Sequence, residues 1–252
     1  MNSEEIHDSL VSTNSPGRLL VVTHHLPVQC ILKDYISKST LLYSSLPRSI
    51  AKKLNLKSLS GNHAAKPKGL PLWEIGLRRG HTALFSGIRS LGTHTDVLHI
   101  GWTGMMQDHD LETFDSSLLT ANLRLELTQK LYDEKKCIPV YYNDKVAAAH
   151  YEGYCKGNLW PIFHYQLWDQ VTNGSEESRN WDAYVAVNQA FADMVIKTYQ
   201  NGDTIWIHDY HLMLVPSMLR KMLPKATIGF FLHTPFPSSE LFRCLPSMIF
   251  SF

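Results

Sequence analysis

Short apolar runs alternate with helical patterns along most of this chain, and this alternation limits its fold more than any other feature. The runs predicted as strands lie at residues 18–28, 96–104, 137–144, 204–210 and 226–233. Apolar residues at helical spacing lie between them, at residues 78–91, 145–154, 181–199 and 211–223. Strands that alternate with helices form βαβ units, whose parallel sheet is covered on both faces. We therefore predict an α/β domain with a Rossmann-like parallel sheet.

Two segments fall outside this pattern. Residues 1–17 are polar and acidic, and we predict that they form a disordered leader. Residues 31–72 mix serine, lysine and short apolar stretches, which indicates an exposed insertion.

Charge and composition argue against several classes of partner. The 252 residues have a formal net charge of +1, so electrostatics favours neither nucleic acid nor an anionic membrane. No apolar stretch is long enough to cross a bilayer, and the N-terminus shows no signal peptide. The cysteines form no CxxC pair, which is typical of a reducing cytoplasm rather than of a zinc knuckle or a disulfide scaffold: Cys30, Cys137, Cys155 and Cys244. We expect a soluble cytoplasmic protein without a nucleic-acid or membrane partner.

Polar side chains stand at the carboxyl ends of the predicted strands. His25, Thr103, Asp209 and His233 each lie at or just beyond such an end. In open α/β sheets, ligands bind in the crevice outside the carboxyl ends of the strands. The sequence therefore predicts a ligand site at this edge of the sheet.

Other interpretations of the same residues stay open. A buried neutral His208, hydrogen-bonded to backbone, explains that histidine better than catalysis does. Together with Asp209, the pair His208 and His211 suggests a metal site. However, the spacing lacks the helical repeat of HExxH and no further acidic cluster supplies ligands, so we expect neither a metal nor a cofactor.

Two further patterns are ambiguous by themselves. Gly80 precedes a helix and is suited to cradle a phosphate, but the fuller GxGxxG fingerprint is absent. The aromatic residues of 150–168 form either part of the core or a platform on which a sugar stacks, and the composition slightly favours the core.

Four longer motifs carry a resemblance that covers most of the chain. They are LWPIFHY, WDAYVAVNQAFAD, IWIHDYHLMLVPSMLR and IGFFLHTPFPSSELFRCLP. In order and spacing, they resemble the N-terminal domain of the trehalose-6-phosphate synthase family, retaining glucosyltransferases of the two-domain GT-B fold. The resemblance runs from about Arg18 to Pro246 and implies that residues 18–246 form the N-terminal half of that fold. In this family, UDP-glucose gives its sugar to the acceptor glucose 6-phosphate.

The resemblance also implies roles for particular residues. Tyr151 and Trp160 would grip the phosphate and the ring of glucose 6-phosphate. Asp209 would hold acceptor hydroxyls and orient the attacking oxygen, and His233 would contact the donor glucose. These two residues are our candidates for catalysis, because fixing the reactants in one pose supplies much of a rate enhancement.

Two positions depart from the pattern of active members. These members carry Ser-Asn-Arg-Leu-Pro at the first strand, with the arginine on the acceptor's phosphate, whereas this chain has His25 in its place. Their donor loop has a Gly-Gly pair that lets backbone amides approach the diphosphate, whereas this chain reads Gly80-His81. Both changes are closer to the synthase-like domain of fungal trehalose-phosphatase and regulatory subunits, which implies a role in assembly.

The end of the chain is the third departure. Residues 247–252 read as an aberrant tail where the family continues into a second domain, so we expect the C-terminal domain to be missing. One interpretation is a synthase half-domain that is inactive alone and binds UDP-glucose weakly or not at all. The other is a non-catalytic module whose partners are other subunits of a trehalose synthase complex.

Overall fold

The structure is a computed structural model that describes residues 17–33, 73–78, 82–91, 95–108, 112–114, 116, 119–166 and 174–237. Gly80 and His81 lie outside the described residues, as do Cys244, the predicted leader up to residue 16, residues 34–72 and the tail at 247–252.

Nine strands form two sheets within the described part of the chain. In chain order they are β1 (Leu19–His25), β2 (Val28–Leu32), β3 (Trp73–Leu77), β4 (Val97–Trp102), β5 (Met106–Gln107), β6 (Thr113–Phe114), β7 (Cys137–Val140), β8 (Thr204–His208) and β9 (Thr227–Phe231).

The larger sheet confirms the predicted architecture. Its five strands lie in the order β7-β4-β1-β8-β9, and every neighbouring pair is parallel. In the central strand, Val22 pairs with Ile100 of β4 and with Ile207 of β8. Because all five strands run the same way, their carboxyl ends share one edge of the sheet.

The smaller sheet, in the order β3-β2-β5-β6, was not predicted. The first apolar run ends as one strand at His25 and resumes as β2 after a turn at Pro27. Our boundary for the exposed insertion was therefore too early, because residues 31 and 32 belong to β2 and Leu32 is buried. Apolar runs alone cannot distinguish one long strand from two strands that turn sharply between sheets.

Six α-helices, a π-helix and a short 3₁₀ helix lie in the described ranges. The α-helices are α1 (Thr82–Leu91), α2 (Ala121–Lys135), α3 (Asp144–Ala148), α4 (Trp160–Phe163), α5 (Gly174–Thr198) and α6 (Val215–Met222). The π-helix, Ala149–Leu159, joins α3 to α4 without a break, and the 3₁₀ helix is Tyr210–Leu212. None of these helices combines the length and the apolar character needed to pass through a membrane.

Two clusters of buried apolar residues form the core of the described chain, and the larger one lies between the larger sheet and the long helix α5. This helix presents Tyr184, Val187, Phe191 and Val195 at helical spacing, and all four are buried. The three described cysteines, Cys30, Cys137 and Cys155, are buried and form no disulfide with one another, which is typical of small core residues.

Helix boundaries differ from the predicted ones in two places. Helix α5 begins at Gly174, before the predicted start at 181. The predicted helix at 211–223 is a 3₁₀ turn followed by α6, which carries a proline in its first turn. Proline has no amide hydrogen and is favoured there, so it marks a helix start inside what looked like one apolar pattern.

Candidate functional site

A cavity of about 700 Å³ opens at the carboxyl edge of the larger sheet. Its wall contains five of the residues predicted for the site, namely His25, Tyr151, Trp160, Asp209 and His233. The other lining residues are Thr23, His24, Leu84, Phe85, Lys156, His164, His208, Tyr210, His211 and Thr234. The topology therefore brings together the strand ends and the aromatic segment that the sequence had singled out.

Thr103 stands at the end of β4 as predicted but does not line the cavity. It is buried, and its carbonyl accepts a hydrogen bond from the Arg78 guanidinium. Arg78 also donates to the carbonyl of Leu26 at 3.1 Å, so it joins the loops that follow β1 and β4. Thr103 and Arg78 therefore do not line the cavity but hold together the loops at the ends of β1 and β4.

Asp209 follows β8 directly and has an unusual backbone. Its φ of 75° and ψ of 165° fall in a region that is nearly restricted to glycine. Its amide donates to the carbonyl of Phe231 at 2.7 Å, and its carboxylate accepts from the amide of His233 at 3.4 Å. The same carboxylate lies 3.5 Å from Nδ1 of His211. These contacts hold the carboxylate at the cavity between β8 and β9.

The charge state of Asp209 is set by its surroundings. Burial alone would raise the pKa of the carboxyl, but the hydrogen bond and charge of His211 and the amides of Tyr210 and His233 outweigh burial. The pKa of Asp209 therefore lies below its ordinary value. The ionised carboxylate only accepts hydrogen bonds, so it suits the hydroxyl groups of a ligand.

His208 and His233 form a pair at the ends of β8 and β9. Nδ1 of His208 lies 3.1 Å from Nε2 of His233, within hydrogen-bond distance. His208 is buried, and burial followed by the nearby His233 lowers its pKa to about 4. The expected buried neutral histidine is present, but we were wrong about its partner, which is a side chain rather than backbone. His208 thereby orients the exposed ring of His233.

The π-helix and α4 form the aromatic wall of the cavity. Trp160 is 41% exposed, and its ring stacks on His164 with 3.6 Å between centroids. Tyr151 is half-buried and faces His24 and His211, with centroids 5.3 Å and 5.6 Å from its own. Tyr154 and Phe163 are buried in the core, as the first interpretation of this segment expects. Trp160 and Tyr151 face the cavity, so the sugar platform stays a prediction for these two residues.

His25 ends β1 and forms part of the opposite wall. Its ring lies 5.0 Å from the ring of Trp102 and 6.2 Å from that of Tyr151. Its carbonyl accepts from the hydroxyl of Thr23 at 2.7 Å, which fixes the end of the strand. The departure at position 25 therefore lies within the cavity, beside the predicted acceptor residue Tyr151.

His24, Lys156 and His164 also line the cavity, although no sequence pattern assigned them to the site. His211 lines it too, and its sequence pattern suggested only a metal site. His24 is 6% exposed, and neither of its ring nitrogens has a hydrogen-bond partner in the part of the chain that the structure describes. Burial, followed by the nearby His25, lowers the pKa of His24 well below its ordinary value. In the sequence, the only indication that His24 belongs to the site was its position beside His25 at the end of a predicted strand. Among the described residues, no group of three or more histidine, cysteine or acidic side chains is arranged to hold a metal ion.

Comparison with known proteins identifies related sequences. The model of glycosyltransferase family 20 matches residues 62–249 of the chain. The trehalose synthase complex regulatory subunit TPS3 of Saccharomyces cerevisiae is 51% identical over 189 residues, which cover 75% of this chain and 17% of that protein. The alpha,alpha-trehalose-phosphate synthase (UDP-forming) A of Dictyostelium discoideum is 34% identical over 234 residues, which cover 93% of this chain and 24% of that protein. The chain therefore spans a quarter or less of the length of these relatives.

Solved structures agree with the fold. The trehalose-6-phosphate phosphatase N-terminal domain of Candida albicans superposes with a TM-score of 0.59 at 29% identity, over 92% of this chain and 36% of that chain. An E. coli structure described as trehalose-6-phosphate bound with UDP-2-fluoro glucose superposes with a TM-score of 0.54 at 24% identity, over 93% of this chain and 37% of that chain. At this lower identity, the second likeness concerns the fold alone.

Proposed function

Because this chain belongs to glycosyltransferase family 20, we propose that its cavity is the acceptor site of a trehalose-6-phosphate synthase-like domain and binds glucose 6-phosphate. The observation that carries this proposal is the meeting of Tyr151, Trp160, Asp209 and His233 in one cavity at the carboxyl edge of the sheet. These are the residues to which the family resemblance gives contacts with the two sugars. They come from separate elements of the fold, so their meeting supports a sugar site more strongly than any one motif does.

Each residue supplies a suitable chemical group. The ionised Asp209 accepts hydrogen bonds from acceptor hydroxyls and fixes the orientation of the attacking oxygen. The exposed ring of Trp160 offers a flat apolar face for the C–H groups of a sugar. His233, oriented by His208, lies on the β9 side of the cavity, where we place the donor glucose.

Residues 18–246 are proposed to form the N-terminal domain of a GT-B fold. We further propose that transfer from UDP-glucose requires a second domain, which the relatives have room for in their greater length. A polypeptide of these 252 residues alone should therefore form no trehalose 6-phosphate.

A second candidate function is that of a non-catalytic module within a trehalose synthase complex. His25 favours it, because active family members have an arginine there and arginine binds a phosphate through two parallel hydrogen bonds. The relative TPS3 is named as a regulatory subunit of such a complex, which also supports this candidate. Under this proposal, the partners are other subunits, and the cavity is a remnant of the synthase site.

Calorimetric titration with glucose 6-phosphate tests the acceptor site. Replacing His25 with arginine should tighten binding about ten- to hundredfold, because a charge-assisted hydrogen bond to phosphate contributes roughly 1.5–3 kcal/mol. Asp209→Ala should abolish binding, and Asp193→Ala is the matched control because Asp193 is exposed on α5 and lies outside the cavity. If the His25→Arg variant folds but does not bind glucose 6-phosphate, the acceptor site is refuted and the assembly module is the better description.

A further inference from the structure

Lys156 lines the cavity although no sequence pattern assigned it a role. It is the only lysine or arginine among the described residues of the cavity wall. The histidine next to His25 cannot replace it, because burial keeps His24 neutral at pH 7. Lys156 is therefore the fixed positive charge that this wall presents to a ligand.

The π-helix is what brings Lys156 to the cavity. Its Nζ lies 4.6 Å from the centroid of the Tyr151 ring, five residues earlier. In an α-helix, residues five apart point about 140° away from each other, because each turn takes 3.6 residues. The wider π-helix, with its bonds from residue i to i+5, places such residues on the same side. The pair His150 and Cys155, with 3.7 Å between Nε2 and Sγ, shows the same spacing.

Glu152 competes for the same ammonium group. Its two carboxylate oxygens accept from Nζ of Lys156 at 3.0 Å and 3.1 Å. Both side chains are about half exposed, and exposed ion pairs of this kind contribute little in water. A phosphate dianion carries more charge than the carboxylate and offers three acceptor oxygens, so it can take over the ammonium group.

We propose that Lys156 binds the phosphate group of the sugar phosphate in this cavity, next to Tyr151. This inference rests on the proposed acceptor site and adds the residue that recognises its charge. The ammonium group lies over the Tyr151 ring, an arrangement that favours a cation at that place. Lys156 thus supplies, from the π-helix, a positive charge that His25 does not supply permanently from β1.

The test measures binding of glucose 6-phosphate, glucose and inorganic phosphate to the full chain by calorimetry. Lys156→Gln removes the charge and should weaken glucose 6-phosphate binding about tenfold, while any binding of glucose stays unchanged. Lys145→Gln is the matched control, because Lys145 is exposed on α3 and lies outside this cavity. Glu152→Gln removes the competing carboxylate and should tighten binding.

A purely structural ion pair predicts a different result. Lys156→Gln and Glu152→Gln would then change thermal stability by the same amount and leave the affinity for glucose 6-phosphate unchanged. That result would overturn the role of Lys156 but not the proposed acceptor site. Binding of inorganic phosphate, but not of glucose 6-phosphate, with the same dependence on Lys156 would support the anion contact and refute the acceptor. Absence of binding of all three compounds to the wild type and to the Glu152→Gln variant would overturn both.

Discussion

Asp209 holds its carboxylate at the cavity in a backbone conformation that side chains normally avoid. With φ at 75° and ψ at 165°, a residue other than glycine pays roughly 1–3 kcal/mol. Hydrogen bonds between this residue and the strand end offset part of that cost, since its amide donates to Phe231 and its carboxylate accepts from His233. Strain of this kind persists mainly where function requires a particular geometry.

Substitution at position 209 should separate stability from binding. Asp209→Gly and Asp209→Ala both remove the carboxylate, and both should abolish glucose 6-phosphate binding. Glycine adopts this conformation freely, so Asp209→Gly should unfold with a free energy about 1 kcal/mol higher than Asp209→Ala. Urea denaturation of the two variants measures this difference. Equal midpoints would show that the backbone at this position is not strained.

The sequence was sufficient to place some site residues and not others. His25, Asp209 and His233 lie at or just beyond the carboxyl ends of strands. Parallel strands bring such positions to one edge of the sheet, so their meeting was predictable. Lys156 was not predictable, because its position depends on a π-helix that apolar periodicity does not reveal. The predicted roles of Gly80 and His81 remain predictions, because both lie outside the described residues.

At the scale of elements, apolar patterns predicted the strands of the larger sheet well, and the smaller sheet and the amphipathic helices less well. Helix α2 was missed although Leu123, Leu127 and Leu131 form a buried stripe along it. Its other positions are mostly polar, and only one residue in each turn is buried. Its amphipathic pattern is therefore weaker than that of α5. Its start is fixed by Thr120, whose hydroxyl accepts from the amide of Leu123, and this capping interaction was the signal available in the sequence.

The π-helix packs on α5 through a glycine. A Cβ added at Gly153 would lie 2.5 Å from the amide oxygen of Asn180, which is buried on α5. Gly153→Ala should therefore lower the free energy of unfolding by about 1–3 kcal/mol, because the buried side chain of Asn180 would have to shift to make room for the added methyl group. Gly157 belongs to the same π-helix but is exposed, and a Cβ there would lie 3.6 Å from its nearest neighbour.

Gly157→Ala is therefore the control, and it should be neutral or slightly stabilising. Urea denaturation of both variants compares the two sites directly. Equal losses at the two positions would mean that glycine is needed for the π-helix itself rather than for its contact with α5.

At the scale of the whole molecule, the larger sheet has an exposed apolar edge. In the described residues, β9 pairs only with β8, and its residues Phe230 and Phe231 are 40% and 49% exposed. An open apolar edge strand favours association with other chains. Phe230→Lys should therefore reduce concentration-dependent association, measured by sedimentation velocity. Leu125→Lys, which replaces an exposed leucine on α2, should not change it.

The stability of the whole molecule should also depend on pH, because His24, His150 and His208 are buried. Burial lowers the pKa of His150 to about 3, and burial followed by His233 lowers that of His208 to about 4. An unfolded histidine has a pKa near 6.5, so between pH 6.5 and pH 4 the unfolded chain binds protons that the folded chain does not. These histidines should therefore contribute no pH dependence above about pH 7, and below it the free energy of unfolding should fall by about 1.4 kcal/mol per pH unit for each such histidine. Asp209, whose pKa lies below its ordinary value, contributes only near pH 4 and below.

Urea denaturation at pH 7.5, 6.0 and 5.0 measures this slope. His150→Gln removes one buried histidine, so the slope should decrease by about 1.4 kcal/mol per pH unit, the contribution of one proton. This change in slope is expected whatever the effect of the substitution on stability at pH 7.5. His164→Gln is the matched control, because His164 is only partly buried at the cavity wall. A slope that is the same in the wild type and the His150→Gln variant would mean that His150 is protonated in the folded chain. The ring would then need an acceptor at Nδ1, for which no partner is present among the described residues.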